Sequence, residues 1–206
     1  MMNLVQLKRS AFAALVSEAA ACCACPAMTE RRAVLSERNG QTSAPVMFIG
    51  EAPGRQGGDR TRVPFSGDQS GRNLSRFLAS INLSRESIFF TNAVLCNPRT
   101  ETGSNRRPSL SEMQNCSAFL RRQLELINPR VVVTLGTVSL DALRRIAYHD
   151  LSLKAAAGKV HEWCGRLLVP LYHPSPQVLA SHRREAEQLR DYVAVARAIE
   201  RTLKEV

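Results

Sequence analysis

The chain has 206 residues, of which 44% are hydrophobic, and 28 Lys and Arg residues outnumber 18 Asp and Glu residues to give a formal net charge of +10. The apolar content excludes a disordered chain, and the lack of an apolar run of about 18 residues excludes a membrane-spanning helix. The positive charge favours a polyanionic partner, because Lys and Arg neutralise phosphates, although a generic basic protein has the same balance. The length fits a single domain over residues 1–206.

The first segment, residues 1–21, is predicted to form an amphipathic helix. Lys8, Arg9 and Glu18 interrupt its apolar residues, whereas a signal peptide needs an uninterrupted apolar run. We therefore expect a cytoplasmic protein, and we expect it to be a monomer. In a reducing compartment the six cysteines are metal ligands or buried thiols rather than disulfides.

Four apolar runs predict buried strands, at residues 45–49, 88–94, 130–135 and 167–172. Helical patterns separate most of them, at residues 70–82, after a capping box of Ser109 and Glu112, and at residues 137–147. A last amphipathic helix over residues 185–203 is predicted to bury Leu189, Val193, Ala196, Ile199 and Leu203. Short apolar runs that alternate with helices indicate βαβ units. The sequence therefore predicts a single three-layer α/β/α domain with a central four-stranded, mostly parallel sheet.

Four cysteines are candidate metal ligands. Cys22 and Cys25 are separated by two residues, a spacing that lets two thiolates bind one metal centre. Cys96 lies at a strand end, and Cys116 lies on the apolar stripe of the helix that follows Ser109. Thiolates select zinc or iron–sulfur clusters, and a set split this widely is less typical of zinc. Cys96 and Cys116 are alternatively ordinary buried thiols, and the spacing alone leaves both interpretations open.

Polar side chains follow three of the predicted strands at their carboxyl ends, where open α/β sheets bind ligands. They are Glu51, between Gly50 and Gly54, then Asn92 and His173. Each also has a purely structural interpretation: the Glu51 segment as a tight turn, Asn92 as a turn-forming residue and His173 as a structural histidine. Three polar groups at three strand ends nevertheless predict a binding crevice. Phe65, in a glycine-containing loop, either stacks on a base there or packs in the core.

Together these motifs resemble the uracil-DNA glycosylase superfamily, and especially its iron–sulfur branches, families 4 and 5, from about residue 22 to residue 184. The matching segments are GEAPG at residues 50–54, PF at 64–65, TNAV at 91–94 with Cys96, NRRP at 105–108 and HPSP at 173–176. The segment FSGDQSG at 65–71 and TNAV look more like family 5, which has no glutamate in the first motif. Because Glu51 is present here, the range of substrate bases does not transfer from either family. No insertion near Phe65 matches the branch that traps the sugar covalently.

The resemblance implies an enzyme that flips uracil out of DNA and hydrolyses its N-glycosidic bond. It implies two catalytic residues, Glu51 to activate the attacking water and His173 to donate to the uracil anion. It implies that Phe65 stacks on the base, that Asn92 reads the uracil edge, and that Gly50, Ala52 and Gly54 line the substrate site. Contacts with DNA are implied for Arg106, Arg107, Ser175, Gln177, Val178, Leu179, Arg183 and Arg184.

Within that last set, Val178 or Leu179 is expected to fill the gap left by the flipped base, although both equally suit the first turn of a helix. The resemblance further implies a structural 4Fe-4S cluster held by Cys22, Cys25, Cys96 and Cys116. Cys23 is a possible substitute ligand, and Cys164 is expected to be a spare thiol. The alternatives are a DNA-binding iron–sulfur protein without glycosylase activity, a small redox protein, and an enzyme for other deaminated bases.

Overall fold

The computed structural model describes residues 3–28 and 30–204, which contain one sheet with the strand order β2-β1-β3-β5-β4. Four of the strands pair in parallel, and the fifth runs antiparallel to β5 at the edge. The strands are β1 (Val46–Gly50), β2 (Ile88–Asn92), β3 (Val131–Leu135), β4 (His161–Trp163) and β5 (Arg166–Leu171). The prediction of a mostly parallel sheet is confirmed, and its four predicted strands are all present.

The predicted strand number is wrong by one, because β4 adds a fifth strand. Its three residues include His161 and Glu162 and form no apolar run, so the pattern that predicted the other strands does not detect it. It joins β5 through Cys164 and Gly165, whose φ angles are 50° and 70°. Positive φ at both central residues is the geometry of the two-residue turns that connect hairpin strands.

Helices pack on both faces of the sheet. They are α1 (Leu4–Ala20), α2 (Gly58–Thr61), α3 (Gln69–Ser80), α4 (Leu110–Ile127), α5 (Thr137–Ile146), α6 (Leu153–Ala156), α7 (Pro176–Ser181) and α8 (Glu185–Lys204). Helices α1, α4 and α5 share one apolar cluster with the sheet, and α3 and α8 share the other. Alternate residues of β1 contribute to opposite clusters, as the pleat of a strand requires. This arrangement confirms the predicted three-layer architecture.

The N-terminal helix forms as predicted from Leu4, whereas Met1 and Met2 lie outside the described residues. The capping box at the start of α4 is also confirmed, since Ser109 accepts from the backbone of Glu112 and the Glu112 carboxylate accepts from the backbone of Ser109. No helix in residues 3–28 and 30–204 combines the length and apolar character needed to cross a membrane.

The buried face of α8 differs from the predicted one. Val193 is 40% exposed and Leu203 is 70% exposed, so the prediction that both point inward is wrong. The helix instead buries Gln188, Asp191, Tyr192, Val195, Ala198 and Thr202. Polar partners just before the helix account for the difference, because Asp191 binds Arg183 and Gln188 donates to the carbonyls of His173 and Arg183. An apolar stripe alone does not identify a face that includes satisfied polar side chains.

Candidate active site

A cleft of about 560 Å³ lies at the carboxyl ends of the parallel strands. Glu51 follows β1, Asn92 ends β2, and His173 comes two residues after β5. The cleft therefore brings together the three polar residues that were predicted from the strand ends, together with Phe65. The other predicted residues that line it are Ala52, Gly54, Arg106, Arg107, Ser175, Gln177 and Val178.

Gly50 provides the space in which Asn92 and Phe65 approach one another. It pairs in register with Asn92 across β1 and β2. A Cβ at position 50 would lie 2.5 Å from Oδ1 of Asn92 and 2.5 Å from Cζ of Phe65. Asn92 is buried, and none of the residues that the structure describes hydrogen-bonds its side-chain amide. Because Asn92 lines the cleft, its amide is available to bond a ligand there.

Phe65 has an unusual backbone conformation that turns its ring toward the cleft. Its φ is 52°, in the left-handed region that non-glycine residues rarely adopt. Arg85 stabilises this turn by donating to the carbonyls of Pro64 and Phe65, the latter at 3.4 Å, while its guanidinium stacks on the ring of Phe90. The Phe65 ring lies 5.9 Å from that of Phe90 and 6.4 Å from that of His173, measured between centroids. The half-buried ring thus presents a face to the cleft beside the imidazole.

Glu51 is a half-buried carboxylate in this cleft. Burial raises its pKa above the ordinary glutamate value, and the nearby charge of Arg107 acts in the opposite direction. Desolvation makes a carboxylate more basic, which suits a group that takes a proton from water.

His173 is a neutral imidazole at physiological pH. Burial lowers its pKa to about 4, although the negative charge of Asp68 acts in the opposite direction. The loop that carries it is held by two amides, since Asn73 donates to the Pro174 carbonyl at 2.8 Å and Gln188 donates to the His173 carbonyl at 3.4 Å. A neutral ring held in place donates one N–H without carrying a positive charge.

Asp68 is a cleft residue to which sequence analysis gave no role. Its Oδ1 accepts from the backbone of Gly71 and so begins α3. Its Oδ2 lies so close to the backbone of Gly57 that a Cβ there would be 2.1 Å away. The sequence signal was an aspartate directly before a helical pattern, which identifies a helix cap and not a second carboxylate in the cleft.

A second group of residues that the sequence did not reveal joins two loops of the cleft. Asn97 is buried and donates to the Pro53 carbonyl at 2.6 Å and to Oδ1 of Asn105 at 3.0 Å. Arg99 donates to Asn97 at 2.6 Å and to Asp59 at 2.5 Å. No local pattern identifies this network, because its partners are far apart in the chain.

Arg106 and Arg107, which precede α4 and were both predicted to contact DNA, have different surroundings in the structure. Arg106 makes a two-bond ion pair with Glu112, at 2.8 and 2.5 Å, and so braces the start of α4. The Arg107 side chain is 61% exposed, and its one ion pair within the described residues is a long contact of 3.9 Å with Asp141. Arg107 therefore has a guanidinium free to meet a phosphate at the rim of the cleft, whereas that of Arg106 is engaged.

Arg183 and Arg184 differ in the same way. Arg183 donates twice to the buried carboxylate of Asp191, at 2.9 and 2.7 Å, and also contacts Glu187. Arg184 is exposed, and its side chain makes no ion pair within the described part of the chain. Of this pair, only Arg184 presents an unengaged guanidinium to solvent.

Val178 and Leu179, the two candidates to fill the gap left by a flipped base, lie on α7. Ser175 begins this helix by accepting from the backbone of Val178, and Gln177 is exposed. Val178 lines the cleft, whereas Leu179 packs against the apolar cluster shared by α3 and α8. The geometry therefore favours Val178 over Leu179 as the side chain that faces a flipped base.

Four thiols lie close enough to influence one another electrostatically. Burial, together with the charges of Cys116, Cys22 and Cys25, raises the pKa of Cys96 to about 12. Burial likewise raises the pKa of Cys116 to about 11, with Cys25 and Cys22 adding to the effect. By contrast, Cys23 and Cys164 are exposed. Thiolates gathered this way repel one another unless a cationic centre lies among them, so the donor set fits a metal cluster.

The same residues are not arranged for a single metal ion. Among residues 3–28 and 30–204, no three His, Cys, Asp or Glu side chains are close enough to hold one ion. The described residues therefore show no metal site of their own, and the case for a cluster rests on the four thiols and on the resemblance. Asn115 supports this region from α4, donating to the Ala24 carbonyl at 2.8 Å and to Sγ of Cys25 at 3.5 Å.

A cleft that combines acid–base groups with an aromatic stacking surface is typical of α/β enzymes that act on a nucleobase. A sequence model of the Uracil DNA glycosylase superfamily matches residues 37–197, and the chain belongs to that superfamily. This confirms the family that the motifs predicted, and with it the class of enzyme.

Individual relatives cover most of the chain. A Type-4 uracil-DNA glycosylase from Archaeoglobus fulgidus is 34% identical over 151 residues, which cover 71% of this chain and 73% of that protein. A Type-5 uracil-DNA glycosylase from Pyrobaculum aerophilum is 34% identical over 175 residues, which cover 77% and 74%. A Type-4 enzyme from Thermotoga maritima is 34% identical over 156 residues, which cover 75% and 76%. Similarity to both types agrees with the mixed motifs in the sequence.

Proposed function

We propose that this chain removes uracil from DNA by hydrolysing the bond between the base and the deoxyribose, which leaves an abasic site. The observation that carries the proposal is the convergence of Glu51, a neutral His173 and an unpartnered Asn92 beside the ring of Phe65 in one cleft. A base in a duplex is not accessible to these groups, so the nucleotide leaves the stack at a cost of a few kcal/mol.

Asn92 and Phe65 recognise the flipped base. The ring of Phe65 stacks on it, and the amide of Asn92 offers both a donor and an acceptor to the uracil edge. Cytosine presents the opposite pattern of donors and acceptors, so Asn92 discriminates against it when the amide is held in the orientation that matches uracil. Because Gly50 gives these two side chains their space, it belongs to the same recognition surface.

Glu51 acts on the sugar side of the bond. As the bond breaks, positive charge builds on the deoxyribose and negative charge builds on the uracil. The carboxylate of Glu51 offsets the positive charge and accepts a proton from the attacking water, for which its raised pKa is suited. Backbone amides near Ala52 and Gly54 line the same wall of the cleft.

His173 acts on the base side. With a pKa of about 4 it is neutral, so it hydrogen-bonds to the developing uracil anion and does not transfer a proton to it. A donor held in place stabilises such charge by roughly 3–4 kcal/mol in a dry site. Asn73 and Gln188 fix the loop that holds the ring, so little reorganisation is needed.

Cys22, Cys25, Cys96 and Cys116 would hold a 4Fe-4S cluster. When bound, the cluster supplies a covalent cross-link between the N-terminal segment, the end of β2 and α4, and the hydrolysis needs no electron from it. Cys96 directly precedes Asn97, so the same link fixes the loop that carries Arg107.

Uracil-containing DNA is the proposed substrate, bound through Arg107, Arg184 and the start of α7, with Val178 facing the gap in the stack. The monomeric state and the cytoplasmic location stay predictions from the sequence.

The test is release of uracil from a labelled oligonucleotide, followed by alkaline cleavage, in parallel with oligonucleotides that carry hypoxanthine or xanthine. We expect cleavage at uracil by the wild type and strong losses for Glu51→Ala, Asn92→Ala and His173→Ala, with DNA binding largely kept. Unchanged rates in all three variants would contradict the assignment. Cleavage at hypoxanthine or xanthine but not at uracil would replace the substrate while keeping the chemistry.

A further inference from the structure

A second concave surface adjoins the active-site cleft. This α4–α5 groove has a volume of about 590 Å³ and lies between the start of α4, at Ser109 and Leu110, and the later part of α5, at Asp141, Arg144 and Arg145. Arg107 lines both the groove and the cleft. The two surfaces therefore meet at Arg107, which is in reach of a ligand in either one.

The groove carries an excess of positive charge. Three guanidinium groups, those of Arg107, Arg144 and Arg145, accompany the single carboxylate of Asp141. Asp141 lies 3.5 Å from Arg144 and 3.9 Å from Arg107, at nitrogen–oxygen separations that only partly neutralise them. Arg145 is exposed, and its side chain makes no ion pair or hydrogen bond within the part of the chain that the structure describes. Its charge is thus available to a ligand.

The arginines differ in how firmly they are held. Arg144 donates to the carbonyls of His149 at 3.1 Å and Leu151 at 2.6 Å, which fixes its side chain along the groove wall. The nearby Leu110 side chain is 66% exposed. A wall of guanidinium groups beside an exposed apolar side chain matches the alternation of phosphate and deoxyribose along a DNA strand.

We propose that the α4–α5 groove binds the backbone of the substrate strand beside the flipped nucleotide, with Arg145 contacting a phosphate and Leu110 contacting a deoxyribose. The inference rests on the proposed function, since it extends the DNA contact outward from that cleft. DNA is the partner because the groove continues a cleft suited to a nucleobase and because the whole chain carries a net charge of +10. Contacts of this kind do not distinguish one base sequence from another, and they hold the strand in position.

The test compares Arg145→Ala with Arg197→Ala in the full chain. Arg197 is an exposed arginine on α8, the helix that packs on the opposite face of the sheet. Binding of fluorescein-labelled undamaged duplex DNA is followed by anisotropy from about 50 to about 200 mM salt. Loss of one phosphate contact lowers the slope of log affinity against log salt concentration by about one. The ratio of wild-type affinity to variant affinity is therefore expected to fall about fourfold over that range. Arg197→Ala and Arg145→Lys are expected to keep the wild-type slope.

Kinetics on uracil-containing DNA separate this contact from a structural effect. Arg145→Ala is expected to raise KM while kcat stays at the wild-type value, because Arg145 lies outside the cleft. An unchanged salt slope, or a change in kcat alone, would overturn the proposal. If the wild type releases no uracil, the proposed function fails, while the slopes measured on undamaged DNA still decide for or against the groove.

Discussion

Gly50 and Asn92 are register partners on neighbouring strands, and a Cβ on Gly50 would lie 2.5 Å from Oδ1 of Asn92. The absence of a side chain at position 50 therefore determines where the base-reading amide lies. The same absent methyl group leaves room for the tip of Phe65. In the proposed function, recognition of the base thus depends on a backbone position in β1 as well as on Asn92 and Phe65.

Gly50→Ala is accordingly expected to impair catalysis more than stability. The two atoms that the new methyl group meets are the far ends of Asn92 and Phe65, so both side chains move while the sheet stays intact. A displacement of about 1 Å costs about 100-fold in kcat/KM. Uracil release and thermal unfolding measure the two effects. Gly58→Ala is the control, since a Cβ there meets atoms no closer than 3.4 Å; an equal loss of activity in that variant would contradict this explanation.

Glu51→Gln is expected to lower kcat by about 100-fold to 10,000-fold, because the amide does not accept a proton from water. The acidic limb of the wild-type rate profile should lie above the ordinary glutamate pKa, since burial raises the pKa of Glu51. A full set of rates from acid to neutral pH provides the measurement. A limb at or below the ordinary value would show that Glu51 is not the group that must be ionised.

The same substitution should raise the stability of the protein at neutral pH. A raised pKa in the folded state means that Glu51 favours folding when protonated, below its unfolded pKa, and that this contribution is lost as pH rises through the folded value. Ionised Glu51 therefore destabilises the fold at pH 7, and Gln removes that cost. The thermal midpoint of Glu51→Gln should exceed that of the wild type at pH 7 and approach it in acid; a lower midpoint at pH 7 would argue against a desolvated carboxylate.

His173 is expected to act as a neutral donor. Because its pKa is about 4, the rate should show no step from this residue between about pH 5 and 8, where an ordinary histidine titrates. His173→Ala should lower kcat by roughly 100-fold to 1000-fold, while His173→Gln, whose amide also donates, should retain more activity. Loss of rate as pH rises through about 6.5, present in the wild type and absent in His173→Gln, would instead identify an imidazolium acid.

Serine variants of the six cysteines should fall into two groups. Cys22→Ser, Cys25→Ser, Cys96→Ser and Cys116→Ser are expected to lose bound iron and visible absorbance, whereas Cys23→Ser and Cys164→Ser, whose thiols are exposed, should keep both. Iron and sulfide analysis of the purified proteins makes the measurement. Cys22 and Cys25 lie before the region matched by the superfamily, residues 37–197, so their two variants are the most informative. Iron retained by both would remove them from the ligand set.

Neighbouring arginines provide a matched pair. Arg183→Ala leaves the buried carboxylate of Asp191 without its partner, so we expect a stability loss of about 1–3 kcal/mol. Arg184→Ala breaks no ion pair within the described residues and should instead weaken DNA binding in a salt-dependent way. Thermal unfolding and anisotropy titrations on both variants separate the roles. Equal stability of the two variants would show that the Asp191 pair contributes little.

Much of the fold could be predicted because βαβ units leave local signals. The four parallel strands are short apolar runs, and the capping box of Ser109 and Glu112 lies within four residues of chain. The antiparallel strand β4 was missed because a three-residue edge strand with polar side chains has no such run. The buried face of α8 was mispredicted because it includes Asp191 and Gln188, whose partners Arg183 and the His173 carbonyl lie outside the helix.

By itself, the sequence determined which chemical groups stand at the strand ends, since the carboxyl ends of parallel strands meet at one edge whatever the details of packing. Only the tertiary structure decided how those groups behave. Burial makes Glu51 more basic and lowers the pKa of His173, and close ion pairs engage Arg106 and Arg183, whereas Arg107 has only a 3.9 Å contact with Asp141 and Arg184 has no ion pair within the described residues. The closeness of Gly50 to Asn92 likewise exists only once β1 and β2 pair. Desolvation and distant contacts are properties of the folded chain, and they turn a list of polar residues into a site with defined acid–base roles.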